Sequence, residues 1–181
     1  MVKRMKRQET LIVDGYNMIG AWPELARLQL NDDIQSARNL LLFELSNYRK
    51  FKEIQIIVVF DAQFVPGITK TYDQYDLQIV FTKEGETADT YIEREVEQHI
   101  NPLTRVIVAT SDMAEQWMIF QKGALRQSAN ELLMDIQYAK RQIKQDVRQY
   151  YSSKLRRRSP WEVDQLEQLD SLRMWLENRS D

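Results

Sequence analysis

Four apolar runs each lead into an aspartate, and this repeated pattern restricts the fold more than any other property of the chain. Thr10–Val13 leads to Asp14, Ile54–Phe60 to Asp61 and Arg105–Thr110 to Asp112, while Leu77–Phe81 reaches Asp89 through a short polar loop. Apolar runs separated by helical periodicity read as parallel strands buried on both faces. The expected architecture is a three-layer α/β/α sandwich around a mainly parallel sheet of 4–5 strands, joined by right-handed crossovers, with extra helices at the C-terminus. In an open sheet of this kind, ligands bind outside the carboxyl ends of the strands. Carboxylates gathered at that edge repel one another, and the usual reason to tolerate the repulsion is a divalent cation.

The segments between the runs supply the helices. Ala37, Leu40, Leu41, Phe43, Leu45 and Tyr48 give a helix over roughly Asp32–Lys50, capped by Asp32 or Asp33. Between Asp14 and that helix, Asp14-Gly15-Tyr16-Asn17 reads as a loop. Pro66-Gly67 marks a turn in the loop after Asp61. Ala88 to about Gln98 is helical with Thr87 as its cap, and Ser111 or Asp112 opens another helix to about Gln121. Ala124–Leu125 is a candidate fifth strand. Ser128 and Glu131 form a capping box that starts a long helix through roughly Tyr150. Ser152–Pro160 reads as a basic break before a last amphipathic helix carrying Trp161, Leu166, Leu169, Leu172 and Trp175. The organisation is therefore a basic extension (1–9), an α/β domain (10–150), and a basic linker with a terminal helix (151–181).

Composition narrows the chemistry. The chain has no cysteine and a single histidine, His99, which removes thiolate and multi-histidine metal sites and makes a histidine-based nucleophilic triad improbable. It holds no long uncharged apolar run and no signal-peptide pattern, so a cytoplasmic protein without a membrane span is expected. The net charge of −2 conceals a polarity along the chain. Residues 11–120 carry 9 basic and 17 acidic side chains, whereas residues 121–160 carry 10 basic and 3 acidic. Acids that hold metal followed by bases that hold a polyanion suit an enzyme that cuts phosphodiesters. The competing reading of the basic segment is a solvated helix face.

Each acid also has a plainer reading. Asp14 before Gly15 makes a turn pair, Asp61 caps its own loop, Asp112 caps a helix, and Asp89 is a first-turn acid favoured by the helix dipole. Their common location at one sheet edge favours Mg²⁺ or Mn²⁺, which prefer oxygen ligands and retain waters. One or two such ions can activate water and stabilise the leaving oxygen of a phosphodiester without a histidine base. Glu93 shares a helix face with Asp89 and is a weaker candidate. Asn17 has an amide suited to orienting water or phosphate, or to bonding its own loop; Thr110 and Ser111 present the same choice. Tyr16 and Trp22 are either base-stacking aromatics or core. P-loop, dinucleotide-binding and nucleophile-elbow motifs are absent.

Five strings in order carry a family resemblance: LIVDGYNMIG at 11–20, VVFDA at 58–62, FTKEGETAD at 81–89, VATSD at 108–112 and GALRQSA at 123–129. Together they resemble the NYN-domain branch of the PIN-like nucleases, in particular its YacP type, over roughly residues 10–150. The resemblance implies a metal-dependent endoribonuclease in which Asp14 and Asp89 are the principal catalytic acids, Asp61 and Asp112 support them, and Asn17 is the motif asparagine. It further implies cleavage of mRNA on the translating ribosome, at the A site. The ribosome, mRNA and A-site rRNA would then be partners, and DNA would not. Arg126, Lys140, Arg141, Lys144, Arg148, Arg156, Arg157 and Arg158 would bind RNA. The basic N-terminal extension departs from the compact family pattern. Two rivals stand beside this reading: a non-catalytic ribosome- or RNA-binding module on a nuclease-like fold, and a small-molecule phosphatase or phosphoacceptor domain. The latter normally places two acids after the first strand and a lysine after a later one, a pattern this chain lacks.

Overall fold

The structure is a computed structural model that describes residues 8–61, 75–112, 119, 121–158, 168 and 170–171. The chain divides into two units, Met1–Ala139 and Lys140–Asp181. The first contains a five-stranded parallel sheet in the order β3-β2-β1-β4-β5. Its strands are β1 (Gln8–Asp14), β2 (Gln55–Phe60), β3 (Gln78–Phe81), β4 (Thr104–Ala109) and β5 (Leu125–Gln127). The chain moves outward from β1 to β3, then returns to the other side of β1 for β4 and β5. Strand order thus reverses between β1 and β4, and the crevice above that pair is where ligands bind in such sheets.

Strand alternation sorts the core into two layers. Leu11, Val13, Ile56, Val58 and Phe60 pack with Leu41, Leu42, Leu45 and Leu132 on one face. Ile12, Ile57, Val59, Val106 and Val108 pack with Ile92 and Val96 on the other. The apolar runs are continuous because both faces are covered, as the sequence reading requires. The first layer takes helices α1 (Gly15–Ala21), α2 (Pro23–Leu30), α3 (Ile34–Lys52) and the start of α5 (Ala129–Arg158); the second takes α4 (Ala88–His99).

Several local expectations change. Residues 15–17 are not a loop: β1 ends at Asp14 and α1 begins at the next residue, so Asn17 is helical. Asp14 makes this possible by capping α1, its carboxylate accepting the Asn17 backbone N–H at 3.0 Å. Gly15 serves packing rather than a turn, because a Cβ there would lie 2.2 Å from a Phe60 ring carbon. Trp22 is core, with its indole N–H donating to the Ala129 carbonyl at 2.9 Å. Tyr16 is half-buried and meets Phe60 edge to face at 5.2 Å. Asp33, not Asp32, caps α3 by accepting from the Ser36 N–H. Phe43 is 54% exposed and does not join the core.

Elsewhere the helix signals work as written. Thr87 caps α4, and Ser128 and Glu131 exchange the bonds of a capping box at 2.7 and 3.2 Å. Helix α5 runs past Tyr150 to Arg158, so 151–158 is helical rather than a break. The Pro66-Gly67 turn, most of the expected 112–121 helix, nearly all of the terminal amphipathic helix and residues 1–7 of the extension lie outside the described residues.

Gly15→Ala should lose ~1–3 kcal/mol of stability through overpacking against Phe60, measured by urea unfolding. Adding Phe60→Leu should recover part of that loss. An unchanged unfolding midpoint for Gly15→Ala would show that the contact is not limiting.

Candidate metal-dependent nuclease site

The parallel ladder brings the strand exits level. Asp14 lies beside Val59 and Val13 beside Ala109, so Asp61 and Asp112 follow their strands within a few residues of Asp14. β3 ends at Phe81, beside Phe60, and its chain returns to α4, whose first turn carries Asp89. All four candidate acids therefore belong to the carboxyl edge of one sheet, around the point where strand order reverses.

Asp14 is the most enclosed of them, only 4% exposed. Its second carboxylate oxygen accepts from the Asn17 side-chain amide at 2.7 Å. The Asn17 amide oxygen in turn accepts from the Ser111 hydroxyl. This short chain ties the exit of β1 to the exit of β4 across the crevice. Thr110 is fully buried, continues the ladder by donating its N–H to the Gln127 carbonyl at 3.2 Å, and accepts the Asp112 N–H on its hydroxyl at 3.1 Å. Thr110 thus shapes the turn that presents Asp112. Ser111 and Thr110, which sequence leaves between water-binding and capping roles, act here on Asn17 and Asp112.

The electrostatics agree with a crowded acidic edge. Burial pushes the Asp14 carboxyl above its ordinary range; the bonds from Asn17 oppose the shift and the Asp61 charge adds to it. Asp89 is also raised, by partial burial first and then by the fields of Asp14, Asp112, Glu93 and Asp61. Glu93 is half-buried and held by Lys122 at 3.3 Å, and the same ammonium binds Glu97 at 2.7 Å. Lys122 is a site neighbour that sequence spacing does not reveal, because it lies far along the chain from both glutamates. Within α4, Arg94 engages Glu86, which precedes the helix, and holds that carboxylate below its usual range. His99 closes α4 with Nδ1 3.0 Å from the Glu95 carbonyl, away from the acidic edge in sequence and in helix position.

The donors at this edge are carboxylate, amide and hydroxyl oxygens, which fit a hard divalent cation. Among the described residues, no three Asp, Glu or His side chains converge closely enough to hold an ion directly. An ion held here would take its remaining ligands from water, as Mg²⁺ can.

The expected RNA-binding residues are divided between the two units. Arg126 is exposed in β5, beside Val108. Lys140, Arg141, Lys144 and Arg148 are exposed along α5 in the second unit, and Arg156, Arg157 and Arg158 form its last turn.

The fold and site define a parallel α/β domain with oxygen-donor acids around its switch point. Comparison with known proteins makes the class specific. A model of the YacP-like NYN domain matches residues 11–174. A Bacillus subtilis (strain 168) protein named uncharacterized protein YacP is 44% identical over 146 residues, covering 81% of this chain and 85% of that one. The crystal structure of Rae1 (YacP) from Bacillus subtilis matches with a TM-score of 0.71 at 40% identity, covering 93% of this chain and 94% of that one. A mutant form of the same protein matches with a TM-score of 0.71 at 43% identity, over 80% and 85% of the two chains. The chain belongs to the YacP-like NYN domain family.

A carboxyl raised in the fold makes the folded chain bind protons more tightly than the unfolded chain, so its ionised form costs stability as pH rises. Asp14→Asn keeps an oxygen to cap α1 and removes that charge. In chelator, it should raise Tm at neutral pH, and the advantage should shrink as pH falls through the carboxylate range. Calorimetric scans across pH check this; a lower Tm at every pH would mark Asp14 as a simple cap.

Proposed function

We propose that the protein is a metal-dependent endoribonuclease that cuts mRNA on the translating ribosome, at the A site. The observation that carries the catalytic part is the electrostatic coupling of Asp14, Asp61, Asp89 and Asp112 at one sheet edge. A set of neighbouring carboxylates at a ligand crevice, with Asp14 buried among them, is expensive unless a function requires it. The ribosomal part rests on the five ordered motif strings and on family membership.

In this reading, Asp14, Asp89, Asp112 and Asp61 hold Mg²⁺ or Mn²⁺, directly or through water. The ion supplies a polarised phosphate oxygen and a more acidic water. The chain's own residues do the positioning. Asn17 fixes the Asp14 carboxylate by two hydrogen bonds, and Ser111 fixes Asn17. Thr110 sets the backbone at Asp112. The acids also exclude a phosphate until a cation neutralises them, which makes cleavage conditional on metal. Arg126 and the α5 bases neutralise the RNA backbone, a role that presents substrate without reading sequence. The site of action is the cytoplasm. Among the described residues no helix is long and apolar enough to cross a membrane.

The test is cleavage of one mRNA, naked and on translating ribosomes, with Mn²⁺ or chelator, mapped at its 5′ ends. Ribosome-dependent cuts that need metal and vanish in Asp14→Asn and Asp89→Asn, while both variants still sediment with ribosomes, support the proposal. Equal cutting of naked RNA removes the ribosome from it. Cutting in chelator removes the metal. Ribosome association without any cleavage favours the non-catalytic binding module.

A further inference from the structure

The first unit has a second chemically distinct place, on the α3 and α5 side of the sheet. A cavity of about 500 Å³ opens there, and none of Asp14, Asp61, Asp89 or Asp112 lines it. Its size suits a small organic ligand. The floor is Leu11, Ile107 and Leu125, which are register partners across β1, β4 and β5 and so share one sheet face. Tyr48 stands on the α3 wall, and Glu131 and Asp135 stand one turn apart on the α5 wall.

The polar groups of this cavity are only partly used. Asp135 Oδ2 accepts from the Gln127 amide at 2.9 Å and from the Tyr48 hydroxyl at 3.5 Å. Burial and the negative fields of Asp135 and Glu9 hold the Tyr48 phenol well above its ordinary range, so it remains a donor. Glu131 Oε2 is committed to the Ser128 N–H. Asp135 Oδ1 takes part in neither of its bonds, whereas the Glu131 carboxylate also feels the Ser128 side chain and the charge of Arg126. The α5 side of the cavity therefore offers two acceptors one turn apart, the half-buried Asp135 and the exposed Glu131 beside Arg126, which suit a ligand with two neighbouring donors.

The mouth has the opposite character. The cavity shares Glu9, Lys52, Ile54 and Arg105 with a larger one of about 1,040 Å³ at the amino edge of the sheet. That second space adds Arg49 and Lys50. Arg49 is bound to Asp76, and Arg105 lies 3.7 Å from Glu9. The Lys52 ammonium sits 5.9 Å from the Tyr48 ring centre. Apolar floor, paired acceptors and cations at the mouth match, in that order, a base face, a base edge and a phosphate.

We propose that this cavity binds a guanine nucleotide, with the base on the Leu11–Ile107–Leu125 floor, its N1–H and 2-amino group donating to Asp135 and Glu131, and its phosphate at Lys52 and Arg105. Guanine is the natural base that presents an imino N–H and an amino group side by side. Adenine and cytosine place one amino group beside an acceptor, and uracil has a single N–H. The nucleotide is either free or the guanosine end of an RNA strand; the recognition chemistry is the same. The proposal does not depend on the nuclease reading, because the acidic edge takes no part in it.

Calorimetric titration of the full chain with 5′-GMP, AMP, CMP and UMP tests it. GMP should bind saturably, at least about tenfold tighter than the other three. Lys52→Ala combined with Arg105→Ala, both exposed positions, should weaken GMP by about tenfold or more without lowering Tm. Asp14→Asn should leave GMP binding unchanged. Displacement of GMP by an RNA hexamer ending in guanosine 5′-phosphate, and not by one ending in uridine 5′-phosphate, identifies a strand end as occupant. Failure of both hexamers to displace it identifies the free nucleotide. No saturable GMP binding, equal binding of all four nucleotides, indifference to the Lys52 and Arg105 changes, or loss in Asp14→Asn would each overturn the assignment.

Discussion

A buried carboxylate at the end of the central strand organises this protein. Asp14 terminates β1, starts α1 and faces the crevice where strand order reverses. Its enclosure raises the cost of its charge, and its bonds to Asn17 offset only part of that cost. Gly15 must follow it, because the Phe60 ring fills the space a side chain would need. Asn17 must stand one helical turn on, because only there does it meet both Asp14 and Ser111. The motif DGYN is thus a set of packing and hydrogen-bonding demands before it is a catalytic signature.

The sheet spreads this local arrangement into a site. Parallel register holds the exits of β1, β2 and β4 level, and the β3-to-α4 connection brings Asp89 to the same edge. Partial burial, and then the fields of Asp14, Asp112, Glu93 and Asp61, raise the cost of ionising Asp89. Lys122 limits the crowding by engaging Glu93 from outside the cluster. The protein thereby separates a polar, negatively charged edge from a mixed cavity farther down the same sheet, whose mouth is cationic and whose paired acceptors lie on α5.

Much of this was legible in sequence, for identifiable physical reasons. Strands covered on both faces must be apolar throughout, so β1, β2 and β4 stand out, and the acids after them follow from the fold class. Capping side chains at Asp33, Thr87 and Ser128 mark helix starts because backbone N–H groups there need acceptors. Helices α1 and α2 were hidden because β1 passes into α1 with no polar spacer, and Gly15 imitates a turn. The Ser111–Asn17 contact spans 94 residues and leaves no periodic trace. The continuation of α5 to Arg158 was hidden because Ser152–Pro160 reads in sequence as a basic break before the proline. Glu131 and Asp135 read as ordinary helix acids; only the fold sets them across a cavity from Tyr48 and Lys52.

The central claim is that the four strand-end acids act as one divalent-cation site. Titration of the chelator-stripped protein with Mn²⁺, followed by electron paramagnetic resonance of the free ion, tests it most directly. The account predicts saturable binding, with Mg²⁺ competing, that is lost in Asp14→Asn combined with Asp89→Asn while the fold persists. Mn²⁺ binding of undiminished affinity in that double variant, or none in the wild type, would contradict it.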